Sequence, residues 1–273
     1  MAEESIVVRV REKVSEVIKG TGETVSGTAG VAKDMVVSAL QSAGDVAKAT
    51  AGTVSDVIGG TLGAVEDVGT GLVQTVKGMV IGVLQGVGEI AAVGVGVISD
   101  IVRATFRETR DIGQDVTETA AAVAEGIITA TKDTGIGLTE GAVALGRAAL
   151  AGAKDVSGDI LGVAASTVSG AVTGASGIGG DVLGAIKGTA KGLVQGAGEV
   201  GADIAQATSG ALTGALDGAK RVGLSAEDAV TAAAKGALEA AEEIGESAVH
   251  TVRDIAAGGV GGVKAVFKGE QET

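Results

Sequence analysis

The 273 residues contain no cysteine, proline, tryptophan or tyrosine, and asparagine is missing as well. Without cysteine there is no disulfide framework, no thiol redox chemistry and no thiolate metal site. Without proline and asparagine the chain lacks two residues on which tight turns usually depend. Collagen, which needs proline and a glycine at every third position, is excluded too. The only aromatic residues are Phe106 and Phe267, so a core built on large rings is ruled out. Basic residues are outnumbered, 21 to 34, giving a net charge of −13 at pH 7. That balance argues against nucleic-acid binding, which needs a basic footprint.

Glycine and small apolar residues are abundant. There are 48 glycines, and 45% of residues are hydrophobic. The mean hydropathy of +0.42 is too high for a typical disordered segment. No signal peptide is evident, because the acidic start is followed by Arg9, Arg11 and Lys13 with no apolar stretch. The longest uncharged run, residues 160–180, is mostly Gly, Ala, Ser and Thr and makes a poor membrane span. The expected location is cytoplasmic, peripheral on a membrane or on lipid bodies.

Organisation comes from a repeat. Written in rows of 11 from Ile6, the chain stays in frame to Gly269 through 24 rows without insertion or deletion. Column 2 is apolar in 21 rows, column 5 in 20 and column 8 in 19, and none of these positions is glycine. Column 7 is acidic in 14 rows, including Asp34, Asp45, Asp56, Asp67, Asp100, Asp111, Asp133 and Asp155. Column 6 is basic in 10 rows, including Lys33, Lys77, Lys132, Lys154, Lys187, Lys220 and Lys264. Column 11 is glycine in 12 rows.

Eleven residues in three turns is about 3.67 per turn, close to the α-helix, and favours right-handed supercoiling. Apolar steps of 3, 3 and 5 make a helical stripe rather than strand alternation. A β-solenoid with 11-residue coils competes, but Ala- and Glu-rich stretches such as residues 226–247 favour helix. The expected fold is therefore all-α. It is a very long amphipathic helix, or a few long segments, over residues 6–269, with tails at 1–5 and 270–273 and no compact globular core. Fully extended, such a helix reaches roughly 400 Å. Glycine clusters near 135–137, 177–180 and 258–262 are candidate breaks, but the unbroken frame favours continuity across them. Each helical glycine costs about 1 kcal/mol against alanine, so the helix needs a surface to fold against.

Rows such as TAGVAKDMVVS and LVQTVKGMVIG resemble the 11-residue repeats of perilipins, group 3 late-embryogenesis-abundant proteins, synucleins and exchangeable apolipoproteins. The resemblance is one of design and covers nearly the whole chain. It implies a non-enzymatic protein whose helices coat lipid. The sequence departs from the pattern in having glycine, not lysine, on one border of the apolar face.

Candidates for chemistry are few. His250 is the only histidine, so neither a histidine metal site nor a Ser-His-Asp triad can be built. There is no Gly-Lys pair for a P-loop and no G-x-S-x-G, and no dinucleotide-binding G-x-G-x-x-G loop is expected. Helical spacing puts successive acidic-column carboxylates about 16 Å apart, too far to share one cation. No enzyme, metal, cofactor, nucleic acid or small-molecule substrate is expected.

Two functions remain open. In the first, the chain coats a membrane or lipid droplet. The apolar face runs through Leu62, Val65, Val68, Val73, Val76, Met79, Leu84, Val87, Ile90, Val95, Ile98, Ile101 and Phe106, with the basic column near lipid phosphates. In the second, it is a self-assembling structural protein. Column 9 is Gly or Ala in 14 rows, which lets helices of different copies approach closely in a filament, sheet or shell.

Overall fold

The computed structural model describes residues 5–20, 24–42, 46–69 and 71–266, and for residues 46–49 the backbone alone. These residues form α1 (Ile6–Gly20), α2 (Thr24–Ser42), α3 (Val46–Val68), α4 (Leu72–Ile90), α5 (Val95–Asp111), α6 (Val116–Thr134), α7 (Leu138–Asp155), α8 (Ile160–Gly177), α9 (Val182–Val200), α10 (Ile204–Val222), α11 (Ala226–Ile244) and α12 (Glu246–Gly258).

Local chemistry explains where the helices stop. Seven positions spaced 22 residues apart mark the turns: Gly113, Gly135, Ser157, Gly179, Gly201, Gly223 and Gly245 all have positive φ. Glycine adopts this conformation without the steric penalty that a Cβ brings. It forms the C-terminal stop described for helices, with a hydrogen bond reaching back across the last turn. Ala202 N donates to Ala197 O at 2.8 Å, and Leu224 N to Ala219 O at 2.9 Å. The following helix then starts on a capping side chain. Asp115, Asp181, Asp203 and Ser225 each accept from a backbone N–H of the first turn. The missing proline and asparagine are replaced by a Gly-x-Asp or Gly-x-Ser turn: Gly113-Gln114-Asp115, Gly179-Gly180-Asp181, Gly201-Ala202-Asp203 and Gly223-Leu224-Ser225.

The helices stack in two layers. Each packs chiefly on the helix two places along, so α1, α3, α5, α7, α9 and α11 form one layer and α2, α4, α6, α8 and α10 the other. Sequential helices, joined by short turns, meet across the interface between layers. Helices within a layer therefore run parallel, and the two layers run antiparallel. This is the α-solenoid plan, in which each unit leans only on its neighbours.

The expectation of a very long helix without a compact core is overturned. Two rows make one helix and its turn, and the apolar columns line a continuous core that runs from Val10 and Val14 through Val76, Met79, Phe106, Ile127, Leu145 and Leu193 to Leu212 and Val230. The reason is energetic. A solvent-exposed apolar stripe gains nothing, whereas folding back buries it at about 25 cal/mol per Å². Continuity across the glycine clusters is corrected as well. Breaks fall at 135–137, at 178–181 and after Gly258, and further ones fall at 91–94, 112–115, 156–159, 201–203 and 223–225.

Candidate interaction surfaces

Glycine sets how closely the helices of a layer approach. A Cβ on Gly192 would overlap the carbonyl oxygen of Val143, and one on Gly236 that of Lys187. In the other layer Gly170 meets the Ala121 carbonyl, Gly214 that of Ala165 and Gly82 that of Ala29. In these contacts from α6 onward the glycine stands 49 residues after its carbonyl, whereas Gly146 of α7 meets the carbonyl of Thr189 on the later helix α9. Backbone lies on backbone here, as in membrane helices with small residues four apart, and such approaches suit Cα–H···O contacts. The line continues along a helix, as Gly188, Gly192 and Gly196 face Thr139, Val143 and Arg147.

Ion pairs follow the same seams. Among the described residues seven join helices two apart: Arg11–Asp67 (2.5 Å), Lys33–Glu89 (2.5 Å), Lys77–Glu125 (2.6 Å), Arg103–Asp155 (3.4 Å), Arg147–Glu199, Lys187–Glu239 (2.5 Å) and Lys191–Glu243 (2.8 Å). In every one the base lies on the earlier helix and the acid on the later. The ion pairs thus give the seam a direction, with the cation on the forward side of a helix and the carboxylate on the backward side; most glycine–carbonyl contacts follow it, Gly146 against the Thr189 carbonyl being an exception. The hydrogen bond from Arg11 holds the Asp67 carboxyl below its ordinary range. Hydrogen bonds from Lys191 and then Gln195 do the same for Glu243. Lys33 and Lys191 are raised, each first by the hydrogen bond to its acid.

The apolar face read from the sequence is now inside. Leu62, Val65, Val76, Met79, Leu84, Val87, Ile98, Ile101 and Phe106 are buried. Val68, Val73 and Ile90 are half-buried, and Val95 is exposed. In the basic column, Lys33, Lys77 and Lys187 bind acids on the next helix of the layer, and Lys220 pairs with Asp217 within α10. Lys132, Lys154 and Lys264 are exposed and in no ion pair among the described residues. Of the acidic column, Asp67 and Asp155 take part in the seams and Asp111 pairs with Arg110. Asp133 accepts from the Gln85 amide at 3.1 Å, while Asp34, Asp56 and Asp100 are exposed. Asp45 lies outside the described residues, as do residues 1–4 and 270–273 of the two tails. His250 is exposed on α12. Among the described residues no three His, Asp or Glu side chains are grouped to hold a metal.

Two further sequence features find their place. Gly196-Ala-Gly198-Glu-Val-Gly201 has the spacing of a dinucleotide loop, but it ends helix α9 instead of linking a strand to a helix. The uncharged run is α8, the one described helix long and apolar enough to cross a membrane, and 56% of that window is buried inside the protein. Shallow hollows lie on the odd-helix face, one lined by Val95, Arg103, Ala148 and Glu199 and another by Arg147, Gln195, Glu243 and Ile244.

The two ends of the stack differ. At the head, α2 shows its backward side to solvent as Ser26, Gly30, Asp34 and Ser38. A Cβ on Gly30 would meet nothing within 4 Å, whereas Gly78 and Gly82 of α4 are covered by the backbone of Val25 and Ala29. At the tail, α12 lies against α10 and α11. No protein-family model and no curated protein matches this chain.

Proposed function

We propose that the chain is a structural protein without substrate chemistry of its own, a rigid two-layer solenoid that associates with copies of itself through the head edge on α2. One observation carries the reading. The glycine seam that runs along the even layer from α4 to α10 ends on α2 with its glycine line uncovered: Gly30 is open, between Ser26 and Asp34. Two copies meeting head to head with α2 antiparallel about Gly30 set Ser26 of each opposite Asp34 of the other. That gives a hydroxyl donor for each carboxylate and keeps the two acids apart. Such a two-fold contact is closed, as isologous interfaces are.

Lipid coating loses its main support, because nine of the residues that would have touched lipid are buried in the core. Sedimentation velocity on the full chain over a range of concentrations tests the proposal. A reversible dimer is expected, and Gly30→Leu, which adds bulk at an open site, should leave the fold intact and return the protein to monomer. Monomer at every concentration sinks the proposal. Flotation with anionic vesicles, if it occurs without self-association, turns the choice to lipid.

A further inference from the structure

A hollow of about 380 Å³ lies where the end of α3 and the start of α4 meet the turn between α5 and α6. Small-ligand sites run from roughly 300 to 1,000 Å³. The start of α4 departs from the rule of its counterparts. Gly71 stands in the place that Asp115, Asp159 and Asp203 hold in later units, and α4 has no side-chain cap. The wall at Gly71 therefore carries no side chain. Two carboxylates line the hollow, Glu66 near the end of α3 and Glu118 in the first turn of α6. Both are exposed and in no ion pair among the described residues. None of the described lining residues is basic, and Arg11, the base beside Glu66, is bound to Asp67. Gln74 and Gln114 add amide oxygens, and Val65, Leu72 and Ile112 supply a buried to half-buried apolar wall. Behind the rim Thr75 is fully buried, and its hydroxyl has no hydrogen-bond partner among the described residues. Its Oγ1 lies 3.6 Å from where a Cβ on Gly71 would stand, so the hydroxyl is turned toward the rim. Such a buried, unsatisfied group calls for an explanation. The acid pair is not a by-product of the repeat. One two-helix unit later the corresponding positions are Arg110 and Gly162, and in the unit after that Lys154 and Gln206.

We infer that this hollow binds a small aliphatic diamine, one ammonium on each carboxylate and the methylene stem along Val65, Leu72 and Ile112. Each ammonium carries three donors, enough for a carboxylate and a glutamine oxygen, with the Thr75 hydroxyl a further acceptor at the rim. Amphipathic amines bury their stems on apolar surface in this way while the charged heads stay solvated. An anion is repelled by the same two carboxylates. A calcium ion is a poorer match, because it takes about six to eight oxygen ligands and leaves the apolar wall unused. None of the lining residues belongs to α2, so the site does not depend on self-association through that edge.

Isothermal titration calorimetry of the full chain with putrescine at low salt tests the site. One diamine per chain is expected. Glu66→Gln and Glu118→Gln should each weaken binding by roughly tenfold, the loss that one hydrogen bond to a charged group brings. Neither exposed carboxylate is in an ion pair among the described residues, so both variants should keep the wild-type circular dichroism. Glu227→Gln on α11, an exposed acid outside the hollow, should leave the affinity unchanged. That control separates the site from general attraction to a chain of net charge −13. Butylamine, with a single ammonium, should bind about tenfold more weakly than putrescine. Putrescine should also shift the methyl NMR signals of Leu72 and Ile112 and leave those of Leu161 in place. Three results overturn the inference: no binding at millimolar putrescine, equal weakening by Glu227→Gln, or calcium chloride that binds the hollow more tightly than putrescine does.

Discussion

At the scale of single residues, the glycines divide into classes with opposite expected effects. Gly192 faces the Val143 carbonyl, so even alanine forces the helices apart. Overpacking of this kind costs about 1–3 kcal/mol, only partly offset by the roughly 1 kcal/mol that alanine gains in helix propensity. Gly192→Ala should therefore lower stability in urea denaturation by up to about 2 kcal/mol. Gly52 lies in α3 with nothing within 4 Å of a built Cβ. Gly52→Ala should raise stability by roughly 0.5–1 kcal/mol. Equal effects at the two sites would refute the seam as described. The exposed ion pairs contribute through pH. Asp67 and Glu243 have lowered folded values, so their stabilisation is present above the ordinary carboxylate range of about 4 and is lost as pH falls through those lower values. Lys33 and Lys191 are raised, so theirs is present below about 10.4 and lost only as pH rises beyond it. Thermal midpoints should thus be flat between these windows and decline on both sides. Added salt should shrink the declines.

At the scale of the helix, the repeat itself is legible in the sequence, but column totals conceal its grouping into pairs of rows. The periodic apolar columns correctly mark helix, and they line the core. A single amphipathic stripe, however, looks the same whether it faces lipid, another chain or its own continuation. The deciding signal was alternation between rows. In column 9, glycine or serine at 113, 135, 157, 179, 201 and 223 alternates with Ala124, Gly146, Val168, Ala190, Leu212 and Ala234. In column 11, Asp159, Asp181, Asp203 and Ser225 alternate with Gly170, Gly192, Gly214 and Gly236. Summing all rows together hides both patterns, because stop, cap and seam glycine are then averaged into one helix. The candidate surfaces were less legible still. The direction of the seams depends on which helix stacks on which, and no column records that. Capping makes the two-row unit testable: Asp203 accepts from both Ala205 N and Gln206 N. Asp203→Ala should cost about 1 kcal/mol in urea denaturation, with the earliest loss of amide protection in α10. Uniform loss along the chain would contradict the assignment.

At the scale of the whole molecule, units that lean only on neighbours should be removable in register. Deleting residues 138–181, which hold α7 and α8, brings α9 and α10 into their places. Glu199 then stands where Asp155 met Arg103, and Gly214 where Gly170 met Ala121. The shortened chain should unfold cooperatively, with a smaller denaturant slope in proportion to its buried surface. Deleting residues 138–170 removes three rows and keeps the 11-residue frame, but it drops a turn into the middle of a helix. That chain should lose cooperative unfolding. If both deletions behave alike, the 22-residue unit is wrong.

The close glycine-to-carbonyl docking has a consequence for how freely the protein can change its exterior. Neighbouring helices are held apart by main-chain atoms, which every residue possesses. Residues whose carbonyls receive those glycines, such as Thr139, Val143, Leu161 and Ala165, are exposed or half-buried and already differ widely in side chain. Their side chains can be rewritten while the scaffold beneath stays the same. The exterior is in effect a grid of interchangeable positions, and binding specificity for a new target could be installed there without redesigning the core.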